Sequence, residues 1–360
     1  MTEDYEAIVA SNWYTNFGPF ERQLSVNVAK FVGQGTSATT VANATLGLDI
    51  AIRALFTKSG NRDEVIMPSF TFAAGADVLL SAGYTPVFID IKETSWQPDI
   101  DQAEEYLHQN TDSVRGILLC NIFGVGNEDI ASWEELAKRY SIPLIIDSAA
   151  GFGSMYSHGQ LLGARGDCEV FSMHATKPFS VGEGGLIVSK SIDLINKTRS
   201  LQNFGLSDGT VVAIGTNAKL QEINCAIGSR QLIKLENRLK ARRRVLRRYK
   251  SKLSSCGFKY QANDETSTVP FLSVVSVSKD EANKVKATLL DSGVEVRSYY
   301  SPLHLHPYLQ SLSVEFGKLS TTESIAERII SLPVHDDMSN DSVDEITKLI
   351  VTVLEQDTNN

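Results

Sequence analysis

Lys177 lies in the polar, glycine-punctuated stretch Phe171-Ser-Met-His-Ala-Thr-Lys-Pro-Phe-Ser-Val-Gly-Glu-Gly-Gly185, directly after the apolar run 168–171. A primary amine on such a loop can reach a bound cofactor. Upstream, the apolar run Pro143-Leu-Ile-Ile-Asp147 ends in a carboxylate, and the carboxyl ends of strands are where an open α/β sheet presents its ligands. The pair fits the chemistry of pyridoxal phosphate. The aldehyde of that cofactor takes a lysine amine as a Schiff base, and its ring nitrogen takes a carboxylate that keeps it protonated and able to draw electrons.

Other residues can complete such a site. Asn43-Ala-Thr-Leu-Gly-Leu48 precedes an amphipathic pattern, so the amides around Thr45 and Leu46 can face an anion at a positive helix terminus. Asn43 or Thr45 can equally serve only to cap that helix. Ser172 can give a hydroxyl to the same anion, or satisfy backbone groups at a strand end. In Pro68-Ser-Phe-Thr-Phe72, which follows a strand, Phe70 or Phe72 can stack on a pyridine ring or pack in the core. The glycines of Gly182-Glu-Gly-Gly185 allow a tight turn and close backbone approach, but no Gly-Lys-Ser/Thr follows, so this is not a Walker-type phosphate loop.

Rival chemistries find less support. His304 and His306 alternate in Tyr299-Tyr-Ser-Pro-Leu-His-Leu-His-Pro307 without a Cys or carboxylate cluster, so no metal site is expected. No Gly-x-Ser-x-Gly nucleophile elbow is present. Lys and Arg total 34 against 43 Asp and Glu, a net charge of −9, which argues against a nucleic-acid surface. The acidic opening Met-Thr-Glu-Asp-Tyr-Glu shows no secretory signal, and no apolar stretch is long enough to span a bilayer. Cys120, Cys168, Cys225 and Cys256 are scattered without ligand spacing, as expected of free thiols in a reducing cytosol.

The elements that must position these residues follow from periodicity. After an irregular opening containing Asn16-Phe-Gly-Pro-Phe20, continuous apolar runs at 64–67, 86–90, 116–120 and 143–147 read as buried strands. Helical spacing at 45–56, 73–82, 99–108 and 130–140 alternates with them and calls for a parallel sheet. Residues 170–173 and 185–189 read as a hairpin carrying the Lys177 loop, which adds antiparallel character. Residues 217–253 read as one long helix, or two broken near Gly228, ending in the basic run 240–250. That run reads as a solvated face linking two domains. Strands at 268–277 and 294–297 and helices at 279–292 and 339–356 then form a small α+β domain, and 357–360 reads as a frayed tail. The expected division is a large domain over 1–240 and a small C-terminal domain over 241–360.

The chain also resembles a known family. Asn16-Phe-Gly-Pro19, Asn43-Ala-Thr45, Pro68-Ser-Phe-Thr-Phe72, Asp147-Ser-Ala-Ala150, 171–185, Gly215-Thr-Asn217, 297–304 and Leu332-Pro-Val-His335 match, in order, blocks of the DegT/DnrJ/EryC1/StrS aminotransferases. That resemblance implies the aspartate-aminotransferase-like fold of type I pyridoxal-phosphate-dependent transferases, with a mostly parallel mixed sheet in the large domain. It implies that Lys177 holds the cofactor and then shuttles a proton, and that Asp147 pairs with the ring nitrogen. By the same resemblance, Phe72 stacks on the ring, and Thr45, the Leu46 amide and Ser172 cradle the phosphate. Asn217 matches the asparagine that reaches the phosphate of a neighbouring subunit, which implies a homodimer with shared sites.

The implied activity is transfer of an amino group from glutamate to a nucleotide-linked keto sugar in the cytosol, with Arg297, Tyr300 and His304 as candidate substrate contacts. A keto-cyclitol or aminobenzoate-forming substrate, or a non-catalytic regulatory role, are the alternatives. Dehydratase relatives replace the lysine by histidine; Lys177 is retained. Three departures stand out: Ala150 where the family usually places Gln or His against the ring hydroxyl, Asn121 where it commonly has His, and Lys219 where it commonly has Arg.

Overall fold

The computed structural model describes residues 2–56 and 62–358. Two helices open the chain, α1 (Thr2–Ser11) and α2 (Pro19–Val32), where sequence reading expected irregular backbone. The apolar side of α2 is spaced at Leu24, Val28 and Val32, and all three are buried. The Gly18-Pro19 pair that suggested a loop is instead the start of that helix, since proline at the first helical position loses no hydrogen bond.

The central sheet is built from β1 (Ser37–Val41), β2 (Glu64–Pro68), β3 (Thr85–Ile89), β4 (Val114–Cys120), β5 (Leu144–Asp147), β6 (Cys168–Ser172) and β7 (Gly185–Ser189). Their order is β1-β7-β6-β5-β4-β2-β3, with the short strand Val314–Glu315 added beside β3. Strands β2 to β6 run parallel, and β7 is antiparallel to both β6 and β1. Alternation along β5 shows why its sequence is continuously apolar. Leu144 and Ile146 enter one core with α2, while Ile145 enters the core on the opposite face.

Helices α3 (Ala44–Leu55), α4 (Ala74–Ser81) and α7 (Ile192–Leu201) cover that opposite face. Helices α5 (Ile100–Asn110) and α6 (Ile130–Tyr140) pack on the α2 side. Crossovers through helices leave the carboxyl ends of the parallel strands on one edge, and the antiparallel β7 brings its first residue, Gly185, to that same edge.

The long helix α8 (Glu222–Lys252) is unbroken. Gly228 does not interrupt it; a Cβ there would meet Leu24 Cδ2 at 2.8 Å, so the glycine lets α2 and α8 approach closely. Leu235 and Leu239 belong to the core under the sheet, whereas Val245, Leu246 and Tyr249 belong to a separate core with the C-terminal elements. The basic run is not the solvated face expected. Arg242 is buried and donates to the Val269 and Val334 carbonyls at 3.1 and 2.9 Å, and Arg248 grips Asp344 through two bonds at 2.8 and 2.5 Å.

The second sheet pairs Lys259–Tyr260, Leu272–Val275 and Ile329–Leu332. The strand expected at 294–297 is absent; Arg297 makes a single bridge to Ser331, and the apolar run Ile329–Leu332 takes the ladder position instead. Helices Lys279–Asp291 and Asn340–Thr358 complete this part. Of the frayed tail expected at 357–360, residues 357 and 358 instead continue the last helix, and 359–360 lie outside the described residues. Among the described residues no helix is long and apolar enough to cross a membrane, and none of the His, Cys, Asp and Glu side chains group as a metal site.

Candidate active site

Two candidate side chains, Asp147 and Lys177, come from elements that end at the carboxyl edge of the sheet. Asp147 ends β5 and is buried; desolvation pushes its carboxyl pKa up, while donation from the Ala149 amide (2.9 Å) and the nearby charge of Lys177 pull it back. Lys177 comes from the β6–β7 loop. Desolvation lowers its ammonium pKa, opposed first by Asp147 and then by Cys120. Each group thus favours the charged form of the other, against the larger effect of burial. Cys120 ends β4 in register with Asp147, accepts from the Thr71 hydroxyl at 3.2 Å, and has its thiol pKa raised by burial.

The lysine loop is held on both flanks. The Ala175 amide donates to the Gly182 carbonyl (2.8 Å), Val181 to Met173 (2.9 Å) and Lys177 to His174 (2.9 Å). Just beyond Lys177, Phe179 is buried against Phe152 with ring centroids 4.7 Å apart. That stacked pair, worth about 1 kcal/mol beyond burial, ties the loop tip to the core.

Aromatic residues wall the site. Phe70 is buried in the core, whereas Phe72 is 63% exposed, which answers which of the two has a free ring face. Tyr300 stacks on Phe123 (5.3 Å, 27°) and lies 6.4 Å from Phe72; burial first, then the charges of Cys120 and Asp147, raise its hydroxyl pKa. A tyrosine from the C-terminal part of the chain thus stands beside the Asp147 carboxylate.

The phosphate candidates gather one strand further along. Register pairs Ser172 with Gly185 and Gly185 with Val41, which places Ser172 beside the entry to α3. A Cβ on Gly185 would sit 2.8 Å from the Ala44 amide nitrogen, so glycine keeps this corner open. Asn43 is the cap: its Oδ1 accepts the Leu46 amide at 2.9 Å, leaving Thr45 exposed on the first turn. Ser172 Oγ accepts the His174 amide at 3.2 Å and keeps its hydroxyl proton to donate.

The remaining candidates are spread out. Asn217 is exposed, its Oδ1 accepting from Lys219 Nζ at 2.7 Å. Arg297 is exposed and paired with Glu295 at 2.6 Å. His304 is only 3% exposed, with Nδ1 bonded to Ser69 Oγ (2.7 Å) and Nε2 to Glu323 (3.3 Å). Both its nitrogens are engaged within the chain, so it braces the end of β2 instead of presenting a free ring.

Behind Asp147 lies a polar network that sequence reading missed. Asn121 Nδ2 donates to Ser148 Oγ (2.8 Å), Ser148 donates to Glu169 (2.7 Å), and Tyr156 donates to the same carboxylate (3.2 Å). The Gly163 and Arg165 amides complete the set at 2.6 and 3.2 Å. The signal for it was a glutamate inside the apolar strand 168–172, where a charge requires partners. Asn121 is turned into this network, and Ala150 is buried with its carbonyl taken by Thr268 (2.7 Å).

This donor set fits pyridoxal phosphate. It offers an amine of lowered pKa near a buried carboxylate, an exposed ring face, and the Thr45 and Ser172 hydroxyls at the open corner for an anion; the Leu46 amide expected there is taken by the Asn43 cap. Comparison with known proteins agrees. The DegT/DnrJ/EryC1/StrS aminotransferase family model matches residues 1–351. Protein Rv3402c of Mycobacterium tuberculosis is 43% identical over 355 residues, covering 97% of this chain and 86% of that one. GDP-perosamine synthase of Vibrio cholerae is 29% identical over 351 residues, covering 95% and 93%. The solved structure of DesI in the presence of its TDP-sugar product has 30% identity and a TM-score of 0.88, covering 99% of this chain and 90% of that chain. A match over nearly the whole length, in sequence and in fold, places this chain in the DegT/DnrJ/EryC1/StrS family, as a pyridoxal-phosphate-dependent aminotransferase.

Proposed function

We propose that this aminotransferase moves an amino group from L-glutamate to a keto-deoxysugar carried on a nucleotide, such as a dTDP-4-keto-6-deoxyhexose, as a cytosolic homodimer. The observation that carries the reading is the placement of Asp147 at the end of β5 and of Lys177 on the β6–β7 loop, at one edge of the sheet. Pyridoxal phosphate, when bound, supplies an aldehyde that accepts the amine and a ring that takes up electrons. Everything else is work for the protein. Asp147, desolvated at the end of β5, would pair with the ring nitrogen and hold a proton there. Lys177, once displaced, would carry a proton to and from the substrate carbon as general acid and base. Phe72 would cover one ring face, while Ser172, Thr45 and the α3 amides ahead of the capped Leu46 would hold the phosphate.

The sugar-nucleotide substrate is supported by relatives: GDP-perosamine synthase by its name, and DesI by the TDP-sugar product in its structure. A second copy is supported by the exposed apolar side chains Phe204, Val211, Val212 and Ile214, which lie next to the exposed Asn217. Of the substrate-side candidates, Tyr300, which packs on Phe123 and near Phe72, is the one that would meet the sugar.

The test is incubation of the purified protein with pyridoxal phosphate, glutamate and a panel of nucleotide-linked keto sugars, with mass detection of the amino sugar. Lys177→Ala should fold and give no product. If no sugar nucleotide is aminated while an inosose is, the substrate reading fails. Wild-type-rate turnover by the alanine variant would remove Lys177 from its role.

A further inference from the structure

Lys219 stands two residues beyond Asn217, on the segment leading into α8. Its ammonium lies 2.7 Å from Asn217 Oδ1 and 2.9 Å from Asn203 Oδ1, and 4.7 Å from the Phe204 ring centroid. An ammonium has three donors and no acceptor, so both asparagine partners must turn their carbonyl oxygens toward it. This decides an orientation that heavy-atom positions alone leave open. With Oδ1 consumed, the side of Asn217 that faces outward is its NH2 group, which has no hydrogen-bond partner among the described residues. The exposed tip of Asn217 is therefore a pure donor.

The backbone around it is fixed as well. Thr216 and Ala218 donate to the Leu201 and Gln202 carbonyls at 2.8 and 3.0 Å, and Ala42 donates to Ala218 at 2.7 Å. Main-chain bonds thus hold the segment at both sides of Asn217, and the side-chain torsions are what Lys219 settles.

We propose that Lys219 is a positioning residue: it clamps the Asn217 amide so that its NH2 group is presented, ready oriented, to the cofactor phosphate held by a second copy of this chain. This rests on the site reading above. The clamp also accounts for a lysine at this position being used inside its own segment, with its charge spent on two carbonyls and an aromatic face and not held free for substrate. Without it the amide would rotate, and half of its orientations would turn an oxygen toward an anion.

The experiment compares the affinity of the refolded or resolved apo-protein for pyridoxal phosphate and for pyridoxal, by absorbance titration. Pyridoxal needs the Lys177 amine but lacks the phosphate, so the ratio of the two dissociation constants reports the phosphate contact alone. Lys219→Met should weaken pyridoxal phosphate binding about tenfold and leave pyridoxal binding unchanged, in keeping with one lost hydrogen bond to a charged group. Lys219→Arg, which can also donate to two carbonyls, should restore most of the ratio. Equal weakening for both vitamers, or an unchanged ratio in Lys219→Met, overturns the clamp while leaving the site reading intact. If Lys219→Met fails to fold, Asn203→Ala removes one half of the clamp, and an unchanged ratio there overturns it equally. A wild-type protein with no preference for the phosphorylated vitamer overturns the site reading, and the clamp with it.

Discussion

The Glu222 carboxylate occupies the space that a side chain on Gly18 would need. A Cβ on Gly18 would lie 2.5 Å from Glu222 Cδ and 2.6 Å from Oε2. From there Glu222 accepts the Phe20 and Glu21 amides at 2.7 and 3.1 Å, so a residue on α8 caps the amino terminus of α2. Gly18 itself has no side chain with which to cap. Gly18→Ala should therefore displace the cap and cost about 1–3 kcal/mol. Glu222→Gln should cost about 1–2 kcal/mol, because its NH2 group would face a donor. Urea denaturation measures both, and an alanine at 18 that leaves the midpoint unmoved would contradict the packing.

Lys177 should titrate below the ordinary lysine value, because burial disfavours its ammonium. Asp147 opposes this by stabilising the charged form. Asp147→Asn should then lower the lysine pKa further and move its amine-selective labelling to lower pH. Acylation of the apo-protein across a pH series, with Lys177 followed by peptide mass spectrometry, reads the shift. A profile that moves to higher pH in the asparagine variant would mean that the two groups do not sense each other.

Glu169 is pushed up to about 7, first by burial, against the pull of its four donors. Folding raises this acid above its unfolded value, so the folded state binds more protons between about pH 4.5 and 7. Wild-type stability contributed by this group is present below that window and lost as pH rises through it. A Glu169→Gln variant lacks the slope. Its stability relative to wild type should therefore improve by up to about 3 kcal/mol from pH 4.5 to 7, although Gln leaves Ser148 without its acceptor and is destabilising at the lower pH. Thermal denaturation of both proteins at several pH values tests the sign; a constant difference would show that Glu169 does not titrate there.

The parts of the fold legible from sequence were those in which one strong pattern acts alone. The runs ending at Cys120 and Asp147 have no polar residue to dilute them, because both faces of β4 and β5 are covered. Strand β1, Ser-Ala-Thr-Thr-Val, escaped notice because its buried Thr39 and Thr40 are polar; their hydroxyls are satisfied by Gln202, Arg199 and Glu21 from distant segments. Helix α2 was hidden by the Gly-Pro pair before it, whose meaning depends on Glu222 two hundred residues away. At the candidate site, the lysine, the carboxylate and the start of α3 stand out in the sequence because each is a local pattern, and their roles are those proposed above. Cys120 and the Glu169 network are not, since strand register alone brings them to the end of β5. His304, a candidate substrate contact by resemblance alone, shows the converse: its neighbours in space, Ser69 and Glu323, engage both ring nitrogens, and nothing in its sequence neighbours announces them.

Arg242 ties α8 to the C-terminal core. Its guanidinium is buried, donates to the Val269 and Val334 carbonyls, and lies 3.4 Å from Asp336. Arg242→Met keeps the aliphatic volume but strands two carbonyls, each worth about 1–3 kcal/mol when unsatisfied. Asp336 is less exposed to loss, because Arg238 also approaches it at 3.4 Å and its own side chain reaches solvent. The expected destabilisation is about 2–4 kcal/mol, against about 1 kcal/mol or less for Lys240→Met, whose pair with Glu236 is open to solvent. Val269 precedes Phe271, which packs on Phe123 and Tyr299, so the same loss should loosen the setting of Tyr300 beside Asp147. Denaturation midpoints for the two variants measure the first effect, and the substrate KM of the folded Arg242→Met protein measures the second. Equal midpoints for the two substitutions would mean that the buried arginine does no more than a surface lysine.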